Sequence, residues 1–253
     1  GYRKKTSYVG SWAIKIVQTQ DGSNTLFSEE YSQCYHSVKD GAINESLHKH
    51  ILPALNHHKN KSSLRVLDIC FGLGYNTFLT ILENQKSTNP KKIEFFSPEL
   101  DLDLLKNLKN FTYPKEFDTI RHMINSISDN LYYEDEFHKI EVFCGDAREY
   151  IKTLKDIDIV YQDAFSSDVN SELWNLSYFR DIYSLLNSDG IVTTYSISTN
   201  VRLSMSENGF YIYEIIVNDK RKSTLAFKQM QTNYKYIDME LKKLRNPNAK
   251  PLV

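Results

Sequence analysis

Cysteine is scarce in this chain. Three residues, Cys34, Cys70 and Cys144, stand far apart among 253. An odd, scattered set with no CxxC pair excludes a disulfide framework and a zinc ribbon, so the three read as reduced thiols. No apolar run approaches the roughly 20 residues that cross a bilayer, and no membrane partner is expected. The first residues, Gly1-Tyr2-Arg3-Lys4-Lys5, lack the apolar core of a signal peptide, which makes a cytoplasmic location the expectation. An excess of one charge is missing too: 31 Lys and Arg face 32 Asp and Glu, a net charge of −1. Nucleic-acid binders usually carry a basic balance, so a basic surface here has to be local. Two clusters qualify, Lys220-Arg221-Lys222 and the tail from Lys242-Lys243-Leu244-Arg245 to Lys250. A solvated face is the plainer reading of either. The seven histidines are read as solvated or structural, and no metal is expected.

What the chain does have is alternation. The first 43 residues read as a small β appendage, and residues 44–253 as the main domain. Trp12-Ala13-Ile14-Lys15-Ile16-Val17 alternates like a half-buried strand, and Asp21-Gly22 gives a turn before Thr25-Leu26-Phe27. Leu47, Ile51 and Leu55 recur at helical spacing and predict a helix over about 44–55. Then five strand–helix repeats follow. Their strands are Arg65-Val66-Leu67-Asp68-Ile69, Ile93-Glu94-Phe95-Phe96-Ser97, Ile140-Glu141-Val142-Phe143, Ile157-Asp158-Ile159-Val160-Tyr161 and Ile191-Val192-Thr193-Thr194-Tyr195. The polar stretch 114–138 is expected to be helical in pieces, and helices are predicted over 176–186 and 201–207, the latter stopped at Asn208-Gly209. Such repeats imply a parallel sheet with helices on both faces. Two final strands, 210–217 and 224–227, joined by a short charged turn, must be antiparallel.

Ligands bind an open parallel sheet at the carboxyl ends of its strands. Asp68-Ile69-Cys70-Phe71-Gly72-Leu73-Gly74-Tyr75-Asn76 follows the first of these strands, and its glycines let the backbone turn and approach a ligand closely. Glu99 follows the second, where a carboxylate can grip both hydroxyls of a ribose. Asp146 in Cys144-Gly145-Asp146-Ala147 follows the third, placed to accept from an adenine amine. Asp163 in Gln162-Asp163-Ala164-Phe165 follows the fourth. Each alone could be a tight connection or an exposed loop acid. Four carboxylates tipping four successive strands would repel a pyrophosphate and favour a cationic nucleoside cofactor.

These residues resemble a known family. Phe71-Gly72-Leu73-Gly74-Tyr75-Asn76 is similar to the glycine loop of the tRNA 5-(aminomethyl)uridine methyltransferases, the methyltransferase half of a bifunctional bacterial enzyme. Asp163-Ala164-Phe165 with Asn170, Glu172, Leu173 and Trp174 resembles their catalytic segment. Tyr195-Ser196 with Val201-Arg202 resembles their penultimate turn. Tyr35-His36-Ser37 with Asp40-Gly41 and Glu45-Ser46 is similar to their approach to the cofactor. The family usually has glycine where Cys70 and Ala164 stand, and often threonine where Leu73 stands.

The resemblance implies a Rossmann-like class I S-adenosylmethionine-dependent methyltransferase of α/β class. Its sheet would be seven-stranded and mostly parallel with an antiparallel last strand, beside the small N-terminal β appendage. The cofactor would be S-adenosylmethionine, held by Glu45, Asp68, Phe71, Gly72, Gly74, Asn76, Glu99, Leu100, Asp146, Ala147 and Asp163. Asp163 and Phe165 would be catalytic. Trp174, Tyr195, Arg202, Lys220, Arg221 and Lys222 would meet a tRNA substrate, whose 5-aminomethyl wobble uridine would be N-methylated. Trp174 could equally pack in the core. No second glycine-rich unit is present to bind FAD, and no obligate protein partner is evident. Two other readings stay open at this point: an aminopropyltransferase of the spermidine-synthase type using decarboxylated S-adenosylmethionine, and an inactive binding module of the same fold.

Overall fold

Short β-branched and aromatic runs, buried on both faces, build the centre of the molecule. The structure, a computed structural model, describes residues 41–217 and 221–253 in full and the backbone of four strands before them. Those four are β1 (Lys4–Val9), β2 (Trp12–Gln18), β3 (Asn24–Ser28) and β4 (Gln33–Cys34). They pair in sequence as an antiparallel meander, the expected β appendage. The Asp21-Gly22 turn, Tyr35, His36, Ser37, Asp40 and Lys220 lie outside the described residues.

The main sheet holds β5 (Ser63–Ile69), β6 (Lys92–Glu99), β7 (Tyr132–Glu134), β8 (His138–Cys144), β9 (Ile157–Gln162), β10 (Leu186–Thr194), β11 (Tyr211–Val217), β12 (Arg221–Phe227) and β13 (Lys235–Tyr236). Its order is β13-β11-β12-β10-β9-β5-β6-β8-β7. The strands β8, β6, β5, β9 and β10 run parallel, while β12 lies antiparallel between β10 and β11. This is a Rossmann-like sheet, with the antiparallel ending expected. It has nine strands rather than seven. The two additions, β7 and β13, are edge strands of three and two residues, too short for alternation to reveal. Part of the polar stretch 114–138 is therefore strand, following a 3-10 turn (Lys115–Ile120) and helix α5 (Arg121–Asn130).

The chain leaves β5 for β6 and β8 on one side, then returns to lay β9 and β10 on the other. Strand order thus reverses between β5 and β9, which opens a crevice at their carboxyl ends. Alternate residues face two cores. Val66, Phe95 and Ile159 point into one, with α3 (Tyr75–Lys86), the short α4 (Leu102–Lys106) and α5 packed over it. Leu67, Val160 and Val192 point into the other, under α6 (Ala147–Tyr150), α7 (Leu176–Leu185) and α8 (Thr199–Ser206). Gly209, with φ 105°, ends the α8 segment, the glycine stop read from Asn208-Gly209. The first helix begins at Ala42 and is not uniform. A short α1 (Ala42–Ser46) passes through a π turn (Leu47–Ile51) into α2 (Leu52–His57). Among the described residues no helix is long and apolar enough to cross a membrane.

Candidate active site

The turn after β5 has a backbone only glycine accommodates easily. Gly72 and Gly74 have φ of 57° and 79°, the left-handed region that side chains disfavour. A Cβ on Gly74 would lie 2.5 Å from Phe78. Cys70 sits in the same region at φ 66°, at the position where the resembling family usually has glycine. Phe71 turns its ring inward against Phe78, centroids 5.6 Å apart, so its ring packs beneath the turn and only its backbone faces the crevice side. The Gly72 amide donates to Glu99 Oε1 at 2.8 Å, and the Asp101 amide donates to Glu99 Oε2 at 3.0 Å. Burial pushes the Glu99 carboxyl up, against those backbone donors.

Glu99 lines a cavity of about 550 Å³ beyond β6 and β8, together with Cys70, Leu100, Asp146, Ala147 and Phe165. Leu100 presents its side chain to it, two-thirds exposed. Asp146 caps α6 by accepting from the Arg148 amide at 2.9 Å, and the Arg148 guanidinium takes Asp146 Oδ2 at 2.7 Å. That pairing holds the Asp146 carboxyl below its usual range and neutralises its charge. Asp146 is at the expected place, but it is no longer part of an uncompensated negative ring. Asp101, Asp103 and Glu172, unremarked as lining in the sequence, restore acidity to the wall.

Asp68 and Asp163 form a second group, outside that wall but gathered about Cys70. Burial pushes the Cys70 thiol up, and the charges of Glu99, Asp163 and Asp68 push it further. Asp68 is 1% exposed. Its Oδ2 accepts from the Thr77 hydroxyl at 2.8 Å, yet burial, with the Asp163 charge adding to it, drives the carboxyl well above the usual range. Asn76, in the first turn of α3, donates to Asp163 Oδ2 at 2.9 Å. The His50 ring reaches Asp163 from the other side, Nε2 to Oδ1 3.5 Å. Among the described residues, Asp68 Oδ1, Asn76 Oδ1 and His50 Nε2 are buried without a formed hydrogen bond. Buried polar atoms are rarely left so. Two orphan acceptors beside a carboxylate suit a ligand that brings N–H donors.

A family model described as S-adenosyl-L-methionine-dependent methyltransferase matches residues 115–229. The crystal structure of MNMC2 from Aquifex aeolicus superposes with a TM-score of 0.83 at 32% identity, covering 96% of this chain and 80% of that one. The chain belongs to the MnmC-like methyltransferase family. An uncharacterized protein of Methanocaldococcus jannaschii is 30% identical over 239 residues, covering 93% of this chain and 61% of that protein. The tRNA 5-methylaminomethyl-2-thiouridine biosynthesis bifunctional protein MnmC of Campylobacter jejuni subsp. doylei is 25% identical over 227 residues, covering 84% of this chain. This chain spans 36% of that protein's length. Family membership makes the chain an S-adenosylmethionine-dependent methyltransferase and sets aside the aminopropyltransferase.

In this MnmC-like chain several expected substrate contacts are structural. Trp174 is 0% exposed, so it cannot stack on a base. Its indole N–H donates to the Phe165 carbonyl at 2.6 Å. The Tyr195 hydroxyl donates to the Ala164 carbonyl at 2.8 Å, and the two rings meet edge to face at 5.7 Å. Both hold the 163–165 loop, Trp174 fully enclosed and Tyr195 with part of its ring exposed. Arg202 is also buried, with Nη2 3.0 Å from Glu214 Oε2 and Nε 3.0 Å from Thr224 Oγ1, which removes it from any phosphate surface. Glu45 gives Oε1 to Lys49 at 3.0 Å in a buried pair. Of the basic cluster, Lys222 leans on Glu214 at 3.7 Å and Arg221 is partly buried. Because β12 runs antiparallel to β10, with Thr224 opposite Thr194, Arg221 and Lys222 lie at the carboxyl edge of the sheet. The sequence reading missed His50 and Lys49. The π turn that carries both leaves no period in so short a helix.

Proposed function

We propose that this methyltransferase transfers a methyl group to the primary amine of 5-aminomethyl-2-thiouridine at the tRNA wobble position, forming 5-methylaminomethyl-2-thiouridine. The observation that carries it is Asp163, a carboxylate at the tip of β9 held by Asn76, faced by His50 and followed two residues later by Phe165. The printed name of the Campylobacter relative, a protein of tRNA 5-methylaminomethyl-2-thiouridine biosynthesis, points to the same acceptor.

The orphan acceptors fit the cofactor as well. Asp68 Oδ1 would take its ammonium group, Glu99 the ribose hydroxyls, and Leu100 and Ala147 the flanks of its adenine, with Gly72 and Gly74 permitting close backbone approach. S-adenosylmethionine supplies an electrophilic methyl on a cationic sulfur, whose charge lowers the proton affinity of a neighbouring amine. An alkylamine has a pKa of about 10.4 in water and arrives as an unreactive ammonium ion. Asp163 accepts a hydrogen bond from it and takes the proton it sheds, which leaves the nitrogen lone pair for the methyl. Phe165 offers a ring face to the uracil, a contact worth about 1–3 kcal/mol. Orientation of the amine can contribute roughly 7–11 kcal/mol. The tRNA backbone would meet Lys220, Arg221 and Lys222, the last two at the same edge of the sheet.

The test is conversion of tRNA carrying the unmethylated aminomethyl nucleoside, read by mass spectrometry of its nucleosides. The wild-type protein is expected to add one methyl to that nucleoside. Asp163→Asn, of the same shape, should slow single-turnover methylation about 10²-fold or more. A protein that binds S-adenosylmethionine yet leaves this nucleoside unchanged rules the acceptor out.

A further inference from the structure

We infer that His50 is a positioning residue for methyl transfer: Thr193 fixes its ring with the proton on Nε2, and that N–H, with Asn76, holds the Asp163 carboxylate toward the acceptor amine. The inference rests on the amine acceptor proposed above. His50 is 0% exposed and lies in the π turn Leu47–Ile51, an irregularity frequent at functional sites. Its Nδ1 is 2.6 Å from Thr193 Oγ1 on β10, across 143 residues of chain.

The tautomer follows from counting donors. If the ring donated from Nδ1, a bare Nε2 would face Asp163 Oδ1, two acceptors in a buried space. Among the described residues, the Thr193 hydroxyl proton would then have no acceptor in place of the ring. If the Thr193 hydroxyl donates to Nδ1 instead, Nε2 carries the proton and faces the carboxylate. The second arrangement pairs the Thr193 hydroxyl with Nδ1 and aims the Nε2 proton at the carboxylate. At 3.5 Å the last contact is longer than a formed hydrogen bond. Such bonds are often long until substrate is in place. Simple packing against Tyr161, ring centroids 5.7 Å apart, does not explain why a nitrogen points at the carboxylate.

The surroundings make this donor consequential. Asp163 is faced by the charge of Asp68 from β5 and by Cys70 beyond it. Tyr195 beyond β10 faces both Asp163 and Glu45, and Glu45 is paired with Lys49. Negative neighbours raise the proton affinity of a carboxylate, and hydrogen-bond donors lower it. Removal of the His50 donor therefore leaves Asp163 protonated to higher pH, where it cannot accept the amine's proton.

The experiment compares His50→Leu, His50→Gln and Thr193→Val by single-turnover methylation of aminomethyl-bearing tRNA across pH, with S-adenosylmethionine affinity measured alongside. His50→Leu is expected to lower the rate about 10²-fold and to shift the acid limb of the profile to higher pH, with cofactor affinity unchanged. His50→Gln, whose amide can still donate, should recover at least about tenfold of that loss. Equal losses in both variants with an unmoved acid limb would show a packing role and overturn the inference. A second measurement needs no activity. In 15N-histidine-labelled protein at pH 8 the His50 signal, identified by its loss in His50→Gln, should show the proton on Nε2 alone, and Thr193→Val should relax that preference. A proton on Nδ1 overturns the inference even if every variant is slow. Wild-type protein that leaves the tRNA unmethylated overturns the acceptor reading and this inference together; wild-type activity with unaffected His50 variants overturns this inference alone.

Discussion

Asp68 and Glu99 are held at the tips of β5 and β6 at a cost in folding free energy, because burial resists their ionisation. The sign of that cost is set by linkage. Above the ordinary carboxyl value of 3.8 the unfolded chain releases its proton while folded Asp68 keeps it. Stability contributed by this group therefore falls as pH rises through the elevated folded value. Asp68→Asn has no charge to bury and its side-chain oxygen can still accept from Thr77. We expect the ligand-free variant to melt about 2–4 °C above the parent at pH 8, equivalent to roughly 1 kcal/mol for a chain of this size. The gap should close as pH falls toward 4. Cofactor affinity, measured by calorimetry on the same samples, should drop. A lower melting point at pH 8 would mean that the carboxylate is compensated in the free protein. Site acidity was legible at this scale because each acid follows a recognisable strand. The neutralisation of Asp146 was not, since Arg148 could have pointed anywhere.

Among the elements, the 163–165 loop depends on groups behind it. The Trp174 N–H is the donor to Phe165, and the Tyr195 hydroxyl the donor to Ala164. Trp174→Phe keeps an aromatic ring in the core and removes the donor. A buried carbonyl left without its partner costs about 1–3 kcal/mol, and the smaller ring leaves a void that adds to it. Thermal melts should show the loss. Methylation should fall more than cofactor affinity, because the groups Trp174 itself touches are Phe165 and Tyr195 rather than Glu99. Unchanged turnover would detach the loop from the chemistry. From sequence, an aromatic two turns beyond a catalytic loop could equally face a base or the core. Only the direction of its side chain decides, and that is a property of how α7 and β10 pack.

For the whole molecule, Arg202 and Glu214 tie α8 to β11 beneath the basic edge. Burial alone would raise Glu214, but the hydrogen bond from Arg202 and the charges of Arg202 and Lys222 hold it below its usual value. This contribution is present above the ordinary value of 4.5 and is lost as pH falls through the folded value, opposite in sense to Asp68. Arg202→Met leaves a buried carboxylate without its main partner. It should lower stability by about 3–5 kcal/mol, visible in denaturant unfolding, with the salt dependence of the proposed tRNA binding unchanged. Lys222→Ala, at the half-exposed end of the same network, should act the other way round. Folding changes little, and the slope of log affinity against log salt falls by about one. A salt-independent affinity in the parent would exclude a phosphate contact at this edge altogether.

Alternation of β-branched runs with amphipathic helices determined the fold by itself, since sheet burial and helix faces are written as periods of two and 3.6 along a chain. The acids at the strand ends were determined with it, because a strand's last residue locates its own crevice. Tertiary structure alone decided which of those acids stay charged, which aromatics face inward, and that Arg202 is buried. It also joined His50 to Thr193 and Asp163, partners 143 and 113 positions away. Such pairings depend on where separate strands and helices come to rest against one another, and no local pattern records that.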